Sequence, residues 1–184
     1  VEKGLKLLQE QQCDVIVFTG DLVNNTADEV NPYKAMLNSL HAPYGKFSIL
    51  GNHDYGDYIE WQSPEAKSNN LRQLIKNHQE MGFKLLQDEN HPFEKGGDKI
   101  HLLGVENWGV GFGKRGNLEN ALQGTNPKDF KVLLSHDPTH WENEVKMHPS
   151  NVHLTLSGHT HGAQMGVEIP GFKFSPVQFR DPHW

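Results

Sequence analysis

The chain has 184 residues, enough for one domain with a buried core. Hydrophobic residues make up 35% and there are 18 glycines and 10 prolines, which points to loops around recurring apolar segments rather than to disorder. A net charge of −6 disfavours a nucleic-acid surface, a single cysteine excludes a disulfide framework or a cysteine zinc site, and no apolar run approaches the ~18 residues of a membrane helix. Cys13 is expected to pack as a small apolar residue. The chain opens at Val1, already inside a helical pattern, and no signal peptide is visible, so it reads as a fragment.

Val1 to Gln12 places Leu5, Leu7 and Leu8 among charged residues, the pattern of an amphipathic helix end. Asp14 to Phe18 is a short β-branched apolar run that suits a buried strand. It leads into Thr19-Gly20-Asp21-Leu22-Val23-Asn24, with Asp21 just past the strand, where open α/β sheets place ligands. A turn or N-cap aspartate occupies the same kind of position. Asn31 to Leu40 reads as a short helix entered through Pro32, and Tyr44 to Leu50 as a strand ending in Gly51-Asn52-His53-Asp54. Ser63-Pro64-Glu65 opens a long helix through Met81, with Gly82 as its stop.

Phe83 to Gln87 and Lys99 to Gly104 read as strands, with Gly96-Gly97-Asp98 as a turn between them. Glu106 to Asn117 is glycine-rich and reads either as a mobile surface loop or as a substrate lid offering Lys114 and Arg115 to anionic groups. Phe130 to Leu134 is another buried strand, followed by Ser135-His136-Asp137-Pro138 and a short helical piece from Trp141 to Met147. Val152 to Leu156 leads into Ser157-Gly158-His159-Thr160-His161-Gly162-Ala163-Gln164. In extended backbone His159 and His161 face the same side, as a metal site requires. The tail from Val167 to Trp184 is interrupted by prolines and reads as a strand plus extended chain.

Four strand ends thus deliver Asp21, Asn52 with His53, His136, and His159 with His161. Such ends can converge on one edge of a sheet. The mixed oxygen and nitrogen donors suit Mn, Fe, Zn or Ni better than Ca or Mg. An aspartate can bridge two cations, and two metals ~3.5–4 Å apart clamp an in-line phosphoryl displacement.

On these motifs the chain resembles the calcineurin-like metallophosphoesterases. Gly20-Asp21-Leu22-Val23-Asn24, Gly51-Asn52-His53-Asp54, Ser135-His136 and Gly158-His159-Thr160-His161 occur in the family's order across most of the chain. The ending Gly162-Ala163-Gln164 is similar to the bacterial phosphodiesterase branch with the signature Gly-His-Thr-His-Gly-Gly-Gln. The resemblance implies an α/β fold, a sandwich of two mixed β-sheets flanked by helices, in a single phosphoesterase domain over 1–184 that is truncated at both ends. It implies two divalent metal ions. Asp21 would bridge them, Asn52, His136 and His159 would complete the second, and His161 would bind the first. A metal-bridging hydroxide would be the nucleophile. His53 would protonate the leaving oxygen, and Asp54 would orient and polarise His53.

The family also opens with an Asp-x-His motif that binds the first metal, and this sequence has none before Asp21. That departure predicts a first metal site left with Asp21 and His161, and impaired activity for this chain. The branch resemblance suggests a small-molecule or lipid-linked phosphoester substrate, with Trp108, Phe112, Phe172, Phe174 and Phe179 available either as an apolar surface for it or as core. It leaves localisation open between cytoplasmic and envelope- or membrane-associated, through segments absent here. A non-catalytic scaffold of the same fold is the alternative, and the intact motifs from Asp21 onward argue against it. The dipeptide His136-Asp137 also occurs in all-helical phosphohydrolases, a reading opposed by the strand-like residues before it.

Overall fold

The structure is a computed structural model that describes residues 2–161 and 166–179. Helix α1 (Glu2–Gln9) leads to strand β1 (Ile16–Phe18); a 3₁₀ segment (Ala27–Tyr33) and α2 (Lys34–Ser39) precede β2 (Lys46–Ser48); a 3₁₀ turn (His53–Tyr55) and α3 (Pro64–Glu80) precede β3 (Phe83–Leu85). These strands form a parallel sheet in the order β1-β2-β3. Next come β4 (Glu89–Lys95), β5 (Asp98–Gly104), α4 (Leu118–Ala121), β6 (Phe130–Leu134), α5 (Thr139–Asn143), a 3₁₀ turn (Val145–Met147) and β7 (Leu154–Leu156). They give a mixed sheet, β4-β5-β6-β7, antiparallel between β4 and β5 and parallel beyond.

Alternation along the strands builds the layers. Val17, Phe47 and Ile49 of the first sheet meet Leu102, Val132 and Leu134 of the second in a central core. Their neighbours Ile16, Phe18 and Leu50 face the opposite way, onto residues of α1, α2 and α3. On the far side of the second sheet, Leu103 and Leu133 pack with Leu118, Leu122 and Val145. The result is a helix–sheet–sheet–helix sandwich, which excludes the all-helical reading of His136-Asp137.

Two sequence expectations change. Phe83–Leu85 pairs with β2, and the glycine turn joins β5 instead to β4, a strand the sequence reading did not anticipate. The segment Glu-Asn-His-Pro-Phe-Glu-Lys lacks an apolar run, but β4 is an edge strand, where proline and charge are tolerated. The tail also forms a hairpin, β8 (Val167–Ile169) with β9 (Phe172–Phe174). Its Phe172 and Phe174, and Phe179 beyond it, are exposed rather than core. Cys13 is half-buried against the helix-side core. Among the described residues no helix is long and apolar enough to cross a membrane.

Candidate metal centre

Within each sheet the relevant strands are parallel, so β1 and β2 release their loops on one edge, and β6 and β7 do likewise. The two edges adjoin. Gly20, at φ 95°, and Gly51 allow this: a Cβ on Gly51 would lie 2.2 Å from Asp21 Oδ1 and 2.7 Å from His136 Cε1. Only a bare backbone permits the approach.

His136 is buried and its Nδ1 donates to the Thr19 carbonyl oxygen at 2.7 Å. That bond fixes the tautomer and aims Nε2 into the site. Nε2 lies 3.1 Å from Asp21 Oδ2 and 3.1 Å from Asn52 Oδ1. The same Asn52 oxygen is 2.9 Å from His159 Nδ1. Donor atoms of Asp21, His136 and His159 all lie within 4.8 Å of one another. These oxygens and nitrogens offer lone pairs toward one point, where only a proton or a cation resolves the repulsion. Burial alone would lower the His136 pKa, but the Asp21 carboxylate overrides it and raises it. Burial would likewise raise Asp21, and His136 overrides it and holds Asp21 below the usual carboxylate range. A neutral His136 with a carboxylate and an amide oxygen is a good donor set for a divalent ion of the Mn, Fe, Zn or Ni class.

His161 is exposed, at φ 52°, and does not belong to this cluster. It lines a cleft of about 620 Å³ shared with Asp21 and His53. Gly162, Ala163 and Gln164, the end of the motif, lie outside the described residues.

His53 and Asp54 are placed differently from the sequence expectation that one polarises the other. His53 Nδ1 donates to the Asn24 carbonyl oxygen at 2.9 Å. That leaves its opposite nitrogen to the cleft. Asp54 is fully buried and its carboxylate accepts from the backbone N–H groups of Asp21, Leu22, Val23 and Gly51 at 2.8–3.2 Å. Consecutive N–H groups wrapped around a carboxylate form an anion nest. Burial pushes the Asp54 pKa up to about 6, opposed by these donors. Asp54 therefore binds the Asp21 loop to the Asn52 loop.

Several supporting groups escaped the sequence reading. Glu29 accepts from the backbone N–H groups of Asn24, Asn25 and Thr26 and holds the loop that carries the His53 acceptor. Burial would raise its pKa, but these donors bring it down to about 2. The spacing Thr26-x-x-Glu29 is a capping-box signature and was the available signal. Asp137, buried after His136, brings Oδ2 to 3.7 Å from His159 Nε2. Tyr58 touches both Asn52 and His53.

The glycine-rich segment 106–117 is docked at the site rather than being a free surface loop. A Cβ on Gly109 would lie 2.1 Å from Asp137 Oδ2, and Phe112 meets His159 edge-on with centroids 4.5 Å apart. Lys114 lies over the Trp108 ring at 4.4 Å, and Arg115 binds Asp57 at 3.0 Å and covers Tyr55 at 4.1 Å. Both cations offered to a substrate by the lid reading are thus held by the protein itself.

A two-sheet sandwich that gathers Asp, Asn and His donors at adjoining strand ends defines the metallophosphoesterase class. The family model for calcineurin-like phosphoesterases matches residues 2–163, and the chain belongs to that family. It is 30% identical over 172 residues to the metallophosphoesterase YkuE of Bacillus subtilis, covering 92% of this chain and 54% of YkuE. It is 28% identical to the UDP-2,3-diacylglucosamine pyrophosphatase LpxG of Chlamydia muridarum, covering 86% of this chain and 57% of LpxG. The chain thus spans just over half the length of these relatives. The solved structure of the NAD nucleotidase NadN of Haemophilus influenzae superposes with a TM-score of 0.56 at 19% identity, over 86% of this chain and 31% of NadN, a likeness of fold.

Proposed function

We propose that the chain carries the catalytic centre of a divalent-metal phosphoester hydrolase of the phosphodiesterase or pyrophosphatase type. The observation that carries this reading is the convergence of Asp21, Asn52, His136 and His159 beside a cleft lined by His53 and His161. Asp21, Asn52, His136 and His159 would hold one cation, and Asp21 and His161 would contribute to a second. Bound cations would supply a nucleophile at neutral pH and neutralise charge on the phosphoryl oxygens.

The chain's own residues do the rest. His53 faces the cleft with its Nδ1 proton held by Asn24, so as an imidazolium it can deliver the second proton, on its other nitrogen, to a leaving oxygen and remain as the neutral ring. Asp54 keeps the two loops in register, and Glu29 keeps the Asn24 carbonyl in place. The apolar wall of the cleft, with Leu5, Phe18, Val30 and Leu37, supports a substrate carrying an apolar group beside its phosphoester. The pyrophosphatase named among the relatives supports a lipid-linked pyrophosphate in particular.

The test is hydrolysis of bis-p-nitrophenyl phosphate and of a nucleoside-diphosphate acyl sugar by this chain, with Mn²⁺ added. Metal-dependent turnover that Asp21→Asn removes is expected. Absence of turnover on monoesters, diesters and pyrophosphates with Mn²⁺, Fe²⁺, Zn²⁺ or Ni²⁺ would contradict the reading.

A further inference from the structure

Tyr58 stands outside every strand-end motif, yet it touches two residues of the site. Its hydroxyl accepts a hydrogen bond from Asn52 Nδ2 at 2.7 Å. Its ring lies against the His53 ring, with centroids 4.6 Å apart and planes 33° apart. An asparagine amide has an acceptor end and a donor end, and only the oxygen can take a cation. Asn52 is buried, so water does not choose between its two orientations. In the structure Oδ1 faces His136 and His159, and Nδ2 faces Tyr58. The hydroxyl of Tyr58, a half-exposed residue, is thus the acceptor that meets the amide's far end.

We propose that Tyr58 is a positioning residue: its hydroxyl turns the Asn52 oxygen toward the cation, and its ring sets the plane of His53. The inference rests on reading the site as a metal centre. The two actions separate chemically. Tyr58→Phe keeps the ring and removes the acceptor. Tyr58→Leu removes both. Asn52→Asp makes both ends of the side chain oxygen, so that orientation no longer matters for binding.

The test is calorimetric titration of the chain with Mn²⁺ alone, with melting in EDTA as the control for folding. Tyr58→Phe should bind Mn²⁺ about three- to tenfold more weakly, the worth of one hydrogen bond, while melting as the wild type does. In the Asn52→Asp background the same change should cost no affinity. At saturating Mn²⁺, Tyr58→Leu should lower kcat further than Tyr58→Phe does, with KM little changed. Unchanged Mn²⁺ affinity in Tyr58→Phe would overturn the proposal, and so would an equal loss in the Asn52→Asp background. A wild-type chain that binds no Mn²⁺ would instead remove the metal-centre reading, and this inference with it.

Discussion

The two halves of the candidate centre are built to different standards. Around His136 every donor is buried or braced: Thr19 orients the histidine, Asn52 bridges it to His159, and Asp137 stands behind His159. Around His161 the surroundings are an exposed position and an open cleft. The difference follows from the fold. The first half lies where two sheets press their strand ends together, and His136 and Asn52 there are buried. The second lies beyond that contact, at the end of β7. Burial pre-organises donors and keeps water from competing for the cation, so the first half should bind its cation more tightly than the second.

The largest expected effect comes from the residue the halves share. Asp21→Asn should empty both sites and abolish turnover, read as bound metal per chain after gel filtration and as phosphodiester hydrolysis. Retained activity would remove Asp21 from the centre. His53→Ala should separate chemistry from binding: turnover should fall by roughly 10²–10⁴ while bound metal stays constant, the usual worth of a positioned proton donor. Loss of metal in that variant would make His53 a ligand. His136→Ala should strip the cation of the braced half, whereas His161→Ala should leave it in place. Equal loss in both variants would erase the proposed asymmetry.

Asp54→Asn tests the bracing itself. It exchanges an acceptor for a donor facing backbone N–H groups of the loops, which should cost about 2–5 kcal/mol in urea unfolding at neutral pH, through buried donors left unpaired. If Asp54 served only to polarise His53, stability would hold and turnover alone would fall.

A smaller effect concerns the sandwich beneath the site. His78 and His140 are buried, each within hydrogen-bond distance of a strand-end serine, and burial lowers the pKa of each to about 4. Because the folded values lie below the unfolded ~6.5, their contribution is complete above that pH and declines as the pH falls toward 4. Stability should drop by about 2 kcal/mol for each between pH 6.5 and 5. Because Asp54 and His136 titrate with the opposite sign, the check is made on the rings themselves: an imidazole NMR signal of His78 or His140 that titrates near pH 6.5 would contradict the neutral buried histidines.

The strand-end donors were legible in the sequence because each follows an apolar β run, through a glycine at Asp21, Asn52 and His159 and through Ser135 at His136. The bracing was much less so. Nothing local in Asp54 says that it will accept four N–H groups from two loops, since three of them belong to residues some thirty positions away. Lys46 is a similar case. It is buried at the start of β2, yet its Nζ donates to the carbonyls of Leu37, Asn38 and Met81, closing the ends of α2 and α3. Both depend on which elements become neighbours, which composition and periodicity do not encode. β4 escaped for the opposite reason: an edge strand needs no apolar run, so it leaves no signal.

The central claim is that Asp21, Asn52, His136 and His159 together hold a divalent cation. Anomalous diffraction from crystals of the chain soaked in Mn²⁺ tests it directly. The account predicts a peak ~2.0–2.3 Å from donor atoms of all four side chains. A Mn²⁺ peak held by other residues, or none among these four, would contradict it.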